Sequence, residues 1–478
     1  MAILRAPLII LLLTFYFSEG VEYIKNEEQP RGALVTILYG TGFELGVRVL
    51  GQSIRESKTT LEYVVMCTRD VPQETIAVLK KDGWKIKMID RFDPGKAKFD
   101  GSIHKMQMWT LTEYNRILWV DADAVLVQNI DHLTRCGNFC VTFRHSDLFN
   151  AGIMVVKPSL DELKRIMSFS SHYFELPDTD EKSNVALPSG RNIWGDQNML
   201  NEYYNTVYNL KGARLFDRND LKYHEEPLRL SEGYNSDLAL YLWYGKWAVP
   251  DEERFILHYT AGPLKPHSWW TYPICDANWV WYGFRQRLPS RFNDPSMWEP
   301  HHWIPVIVVA LLLIAIRFLP GLPSLTPYCK RFVIFVSPEQ DNWFMLITPT
   351  AVLALSYYLA FCQVPTLMWP GEAYVVFGMW TIMFLCLFYI PACYISYMSI
   401  SFHSRGLHSR ASLETLLHFV TFVLLHLLVL WITYLVSPFL RRAPTFFLMV
   451  FCMVVYFHFV GKRIIRIWNH NLSRNTII

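Results

Sequence analysis

Charged side chains are scarce in this chain, 18% of 478 residues against 52% hydrophobic. That balance is too apolar for a wholly soluble protein of this size and implies a membrane share. No basic excess stands in for the missing charge. The formal net charge is +3, and no basic block interleaved with aromatics occurs, so no nucleic-acid partner is expected. Zinc-ligand spacing is also missing, because Cys136 and Cys140 have neither a second pair nor a His cluster to complete a site. Together with Cys67 and Cys275 they make an even set that permits disulfides in an oxidising compartment, with three pairings open. Cys362, Cys386, Cys393 and Cys452 fall in apolar runs and read as small packing residues. Between Val21 and about Trp298 no stretch reaches the ~18 uninterrupted apolar residues of a spanning helix. Residues 21–298 are therefore expected to form one soluble domain.

The apolar residues gather at the two ends. Residues 1–20, "MAILRAPLIILLLTFYFSEG", have one arginine, an apolar core and then small residues, the layout of a secretory signal peptide, with an uncleaved signal anchor as the alternative. Beyond Trp298 come five apolar runs, 303–319, 344–364, 373–396, 413–436 and 445–461, so 299–478 is expected to be an all-α, multi-pass membrane domain. Basic residues give its orientation. Arg317, Lys330, Arg331, Arg405, Arg410, Lys462, Arg463, Arg466 and Arg474 all fall on one side of the alternating loops, and only Arg441 and Arg442 dissent. The count puts the soluble domain in the lumen and the C-terminal tail in the cytosol. The single N-x-S/T sequon, Asn471 to Ser473, lies in that tail and is expected to carry no glycan. A glycan found there by mass spectrometry would invert the last helix.

In the soluble domain, short apolar runs at 33–40, 61–68, 84–90 and 116–121 alternate with helical patterns near 44–57, 72–82 and 103–114. Such β-α repetition predicts an α/β fold with a mostly parallel sheet covered by helices. Ligands of these sheets bind at the carboxyl ends of strands. "RILWVDADAVLVQNI" puts Asp121 and Asp123 there. A D-x-D triplet alone means little, since about one arises by chance in a chain this long, and Asp178-Thr179-Asp180 is a second one in a polar loop. Position distinguishes the first: paired carboxylates ending a buried strand are costly unless something binds them. Hard oxygen ligands suit Mg²⁺ or Mn²⁺, and an imidazole would tilt the choice to Mn²⁺. Three further stretches carry candidates: Asn150 and Gly152 in "LFNAGIMVVKPS", Asp196 and Gln197 in "IWGDQNMLN", and His258, Gly262 and Lys265 in "ILHYTAGPLKPHSWW". Each has a plain structural reading too, as turn residue, helix cap or satisfied histidine.

In this order, "VTILYGTGFELGVRVLGQSI", "HKMQMWTLTEYNRILWVDADAVLVQNIDHL", "FNAGIMV", "GDQNMLN" and "HYTAGPLKP" resemble the glycogenin-type retaining glycosyltransferases, family 8, over about residues 33–270. The addition of membrane helices resembles the plant glycogenin-like (PGSIP) branch, whose best understood member transfers glucuronate to inositol phosphorylceramide. The resemblance implies a GT-A, Rossmann-like domain, a UDP-sugar donor, with UDP-glucuronate favoured, a lipid or glycan acceptor, and a Golgi or other secretory-pathway membrane. By the same resemblance Asp121, Asp123 and His258 would hold Mn²⁺. Phe43, Lys105, Gly262 and Lys265 would serve the nucleotide and its phosphates, and Asn150, Asp196 and Gln197 the sugar and the reacting carbon. Three departures stand out. Phe43 occupies a position where the family usually has tyrosine, Ile193 replaces an aspartate, and the segment from His258 to Lys265 is one residue longer. Arg144 and Arg191 flank the sugar motifs and could meet a glucuronate carboxylate. Front-face displacement and a covalent intermediate both remain open. Two rival functions are a self-glucosylating protein, with acceptors among the tyrosines of 234–244, and a transporter lined by Glu414, His418, His426 and His458.

Overall fold

The structure is a computed structural model, and it describes residues 31–90, 102–144, 148–175, 195–272, 276–289, 298–318 and 341–389. The signal segment 1–20, Arg191, Ile193, Cys275, the second D-x-D at 178–180, the apolar runs 413–436 and 445–461, and the polar residues invoked for transport lie outside the described residues.

The chain divides into two compact units, one taking in residues to Tyr241 with Lys246–Thr260 and Phe284–Arg291, the other Leu242–Gly245, Ala261–Gly283 and Phe292–Ile478. The first unit is built on strands β1 (Gly32–Leu38), β2 (Glu62–Thr68), β3 (Lys85–Ile89) and β4 (Arg116–Val120), with helices α1 (Glu44–Glu56) and α2 (Gln73–Lys81) as crossovers. Then follow β5 (Ala124–Leu126), β6 (Phe139–Phe143), β7 (Phe149–Val156), α3 (Leu160–Glu175), α4 (Gly195–Tyr208), β8 (Leu228–Leu230), β9 (Ser236–Asp237), α5 (Leu238–Tyr244) and β10 (Ile256–His258). Seven strands make one sheet in the order β3-β2-β1-β4-β7-β6-β8. Pairings from β3 through β4 are parallel, as the β-α repetition predicts, but β7 runs antiparallel to both β4 and β6. The sheet is thus mixed and Rossmann-like.

Near-continuous apolar runs form these strands because both faces are covered. Successive side chains point to opposite faces: Ala33, Val35, Ile117 and Trp119 join one core, while Leu34, Leu38, Leu118 and Val120 join the other. The helix expected over 103–114 is instead a 3-10 segment, Ser102–Thr110. Its Ile103, His104, Lys105, Met106, Met108 and Trp109 are buried, and Gln107 and Thr110 are half-buried, so the stretch lacks the broad polar face of an amphipathic α-helix. Cys136 and Cys140 form a disulfide, and Cys67 is a free, buried thiol pushed up to about 12 by burial. A disulfide fits an oxidising compartment.

His132 packs edge-on to Phe255 and meets the Tyr234 hydroxyl at 2.6 Å. Burial, helped by Arg135 and Arg218, pushes its imidazole down to about 4, while burial pushes the Tyr234 hydroxyl up to about 12. The hydroxyl therefore donates and the neutral ring accepts. A depressed histidine binds its proton more readily unfolded than folded. Its contribution is intact above the unfolded value near 6.5 and is lost as pH falls toward 4. After discounting for partial exposure, the loss is roughly 1–2 kcal/mol. Urea melts of wild type and His132→Phe at pH 7 and pH 4.5 should differ by that amount in slope with pH, and equal slopes would refute it.

After β10 follow α6 (Ala277–Gln286) and, in the second unit, α7 (Ile304–Phe318), α8 (Asp341–Cys362) and α9 (Pro370–Phe384), the last continuing through a π turn to Tyr389. Helices thus take up the described part of the apolar runs at 303–319, 344–364 and 373–396, except for Gln363 and Val364. Among the described residues one helix, Pro370–Phe388, is long and apolar enough to cross a membrane. Trp269, 2% exposed, packs against Tyr374 and Phe377 of α9 and Phe361 of α8, and its N–H donates to the Thr366 carbonyl at 3.2 Å. The segment after Thr260 is therefore built into the core of the apolar helices.

Candidate metal and donor site

The strand order reverses at β1 and β4, which are parallel neighbours, and in such sheets ligands bind beyond the carboxyl ends of the strands at this switch point. Asp121 and Asp123 leave β4 on one side of it. Phe43 caps α1 on the other. The two sides approach closely at Gly46, where a Cβ would stand 2.6 Å from the Ala122 carbonyl oxygen. Only glycine permits that approach without moving the turn that carries both aspartates.

A second, three-stranded sheet in the order β5-β10-β9 brings in His258. Its register sets His258 opposite Ala124, and the Tyr259 N–H donates to the Asp123 carbonyl at 2.9 Å. Ligand atoms of Asp121, Asp123 and His258 lie within 4.8 Å of one another. His258 Nε2 is 3.2 Å from Asp123 Oδ1. Two carboxylate oxygens and one imidazole nitrogen this close together are a donor set that fits a divalent cation. Room for the ring comes from Gly152 on β7, where a Cβ would stand 2.1 Å from His258 Cε1. Gly152→Ala should displace the ring and weaken Mn²⁺ binding ~10–100-fold, with a stability loss of about 1–3 kcal/mol. Calorimetric titration with Mn²⁺ beside a thermal melt checks both, and unaltered Mn²⁺ affinity would contradict it.

Lys105 is the buried cation of the site. Its Nζ lies 2.8 Å from Asp196 Oδ2 and 3.6 Å from Asp121 Oδ1, and it donates to the Ala151 carbonyl at 3.3 Å. Burial opposes its charge, but Asp121, Asp196 and Asp123 outweigh burial and hold the ammonium above the ordinary lysine range. For Asp121 the balance runs the other way. Burial, with Asp123 adding repulsion, pushes its carboxyl up against the pull of Lys105, His258 and the Trp119 hydrogen bond. A cation between the two aspartates would relieve that repulsion. Asp196 sits in the first turn of α4 and Gln197 follows it. Gln197 Oε1 accepts from Asn150 Nδ2 and from the Ala151 N–H, both at 3.1 Å. Asn150 and Gly152 are thus already within β7, rather than ahead of it.

Three residues of this assembly carry no motif of their own. Trp119 Nε1 donates to Asp121 Oδ1 at 2.7 Å, and Asn235 Oδ1 meets His258 Nδ1 at 2.9 Å. Asp237, paired with His258 across β9 and β10, binds Arg144 at 2.6 Å. Arg144 is thus already engaged by a carboxylate of the protein. Trp119 could have been found from the two-residue period of β4. Asn235 and Asp237 lie in a 3-10 turn and a two-residue strand, which leave no periodic signal. Gly262 and Lys265 belong to the second unit. Gly262 opens the 3-10 turn Gly262–Leu264, and the Lys265 carbonyl accepts from the Ser268 N–H at 3.1 Å.

No family model matches the chain. It is 35% identical over 277 residues to inositol phosphorylceramide glucuronosyltransferase 1 of Arabidopsis thaliana, covering 55% of this chain and 47% of that protein. It is 26% identical over 378 residues to the putative glucuronosyltransferase PGSIP7 of Arabidopsis thaliana, covering 74% and 69%. The chain thus spans about half the length of the first relative and about two thirds of the second. The glycosyltransferase GlyE of Streptococcus pneumoniae aligns at a TM-score of 0.37 with 16% identity, over 53% of this chain and 59% of that one. The resemblance to the plant glycogenin-like (PGSIP) branch, drawn mainly from the membrane helices that follow the ordered motifs, is met by the two Arabidopsis relatives.

Proposed function

We propose that the chain is a metal-dependent, retaining hexosyltransferase of the GT-A kind, held at a secretory-pathway membrane such as the Golgi. In this reading it transfers glucuronate from UDP-glucuronate to a lipid such as inositol phosphorylceramide. One observation carries this reading: Asp121, Asp123 and His258 converge at the switch point of the sheet, with the buried Lys105 beside them. The two relatives named as glucuronosyltransferases support the donor, and the first supports the lipid.

Asp121, Asp123 and His258 would hold Mn²⁺, which when bound would supply Lewis-acid stabilisation of the charge that develops as UDP leaves. The chain's own groups do the rest. Phe43 offers an aromatic face to uracil without the hydroxyl that tyrosine would add. Lys105 holds Asp196 and Asp121 in place, its ammonium 2.8 Å and 3.6 Å from their carboxylates. Asn150 and Gln197, locked to each other and to the backbone of β7, present a rigid amide edge to the sugar. In the transfer an acceptor hydroxyl bonds to the anomeric carbon while the bond from that carbon to the phosphate oxygen breaks, its electron pair leaving with UDP. The hydroxyl proton passes to the departing phosphate oxygen. Gln197 Oε1 already accepts two hydrogen bonds and Asp196 is tied to Lys105, which favours front-face displacement over an enzyme nucleophile. Gly262 and Lys265 would add backbone and charge to the phosphates, as the motif implies. The apolar helices, a multi-pass anchor in this reading, would hold enzyme and lipid at one surface.

The test is a side-by-side assay of the full chain in lipid with UDP-glucuronate, UDP-glucose and UDP-galactose, together with intact-mass measurement. Glucuronate on the lipid with an unmodified protein is the expected result. Preference for UDP-glucose, or transfer only to a soluble glycan, defeats the glucuronosyl-lipid reading. Hexose added to the protein itself would favour self-glucosylation, for which Tyr244, 57% exposed, is the accessible tyrosine of the 234–244 stretch.

A further inference from the structure

Four side chains form one buried relay behind the cation site. The Ala151 N–H donates to Gln197 Oε1 at 3.1 Å, and the Gly152 N–H donates to Asn150 Oδ1 at 2.9 Å. A backbone N–H can only donate, so the atoms facing these two groups must be oxygens. That fixes the orientation of both amides. Asn150 Nδ2 then donates to Gln197 Oε1 at 3.1 Å, and Asn150 Oδ1 takes a second hydrogen bond from Asn235 Nδ2 at 3.0 Å. Turning Asn235 over would face two oxygens at that contact. Its Oδ1 therefore points at His258 Nδ1, 2.9 Å away, and that nitrogen must carry the proton. Asn150, Asn235 and His258 are 8%, 5% and 3% exposed, so water is poorly placed to substitute for any member.

We infer that Asn235 is a positioning residue. Through it, two main-chain N–H groups of β7 dictate the tautomer of His258, placing the proton on Nδ1 and leaving Nε2, the atom beside Asp123, as the ligand for a divalent cation. This rests on the cation site proposed above. The ring nitrogen that does not bind a metal usually donates to a partner that sets its tautomer and orientation, and losing that partner typically costs ~10–100-fold in affinity. Here the partner is an amide whose own orientation is set by the backbone, so the site is prepared before the cation arrives.

The probe is Mn²⁺ alone, titrated into the full-length protein in lipid. Electron paramagnetic resonance reports bound ion, and electron spin echo modulation reports coupling to an imidazole nitrogen. Asn235→Leu removes the acceptor and should weaken Mn²⁺ binding ~10–100-fold with loss of the nitrogen coupling. Asn235→Asp keeps an acceptor at Nδ1 but sets its second oxygen against Asn150 Oδ1, so it should retain the nitrogen coupling and lose less affinity than Asn235→Leu. His258→Ala and the double variant His258→Ala with Asn235→Leu should bind Mn²⁺ equally weakly, because Asn235 acts only through the ring. Wild-type affinity and coupling in Asn235→Leu, or equal losses in Asn235→Leu and Asn235→Asp, would overturn the inference. Undiminished Mn²⁺ binding in Asp123→Asn and His258→Ala would instead overturn the cation site itself.

Discussion

Asp123→Asn should abolish transfer, with turnover lower by about a thousandfold or more, while the thermal melt stays near that of the wild type. The substitution keeps the shape of the side chain and removes the charge. Asp123 is half-buried and belongs to neither core. It contacts His258 Nε2 through Oδ1, and its main-chain carbonyl still accepts the Tyr259 N–H in the variant. The loss should reside in turnover, measured with saturating donor and Mn²⁺. Turnover within tenfold of wild type would remove Asp123 from the chemistry.

The largest stability effect is expected at Lys105. The side chain is buried, and its ammonium lies between the carboxylates of Asp196 and Asp121 and 5.8 Å from the centre of the Trp119 ring. Lys105→Met keeps the length and apolar stem but leaves two carboxylates without their shared cation. Removing one partner of such a buried arrangement costs ~3–5 kcal/mol, equivalent to a fall in Tm on the order of 10 °C. Two further measurements give this mechanism its signature. Asp196→Asn added to Lys105→Met should recover part of the loss, because one uncompensated charge disappears. Mn²⁺ should raise the Tm of Lys105→Met more than that of wild type, because the ion supplies the missing positive charge. A Tm unchanged from wild type in Lys105→Met would contradict the placement.

Much of this could be read from residue order. β1, β2 and β4 were readable because a strand covered on both faces must be nearly continuous in apolar residues. Asp121 and Asp123 stood out because carboxylates at the end of such a strand need a partner. Lys105, Asn150, Asp196, Gln197 and His258 were found through motif order, and the structure brings them together with the two aspartates. The parts that escaped share a cause. The reversal of β7 is a matter of which edge it joins, and nothing in "FNAGIMVV" encodes direction. Ser102–Thr110 is mostly buried, with Gln107 and Thr110 half-buried, so it lacks the broad solvent face by which a helix is recognised. Asn235 acts from a 3-10 turn and Asp237 from a two-residue strand beside β10, and Asn235 reaches His258 across 23 positions of sequence. Arg144 looked available from sequence because its partner Asp237 is 93 positions away, the difference of their residue numbers. Hydropathy marks where apolar helices begin, but it does not register that Trp269 and its neighbours pack among them.

The central claim is that Asp121, Asp123 and His258 bind a UDP-sugar through a divalent cation. It is tested most directly by calorimetric titration of the full-length protein in lipid with UDP-glucuronate, first with Mn²⁺ and then after chelation. The account predicts saturable binding that requires Mn²⁺, is displaced by UDP and disappears in Asp123→Asn. Equal affinity for UDP-glucuronate in chelator and in Mn²⁺ would contradict it.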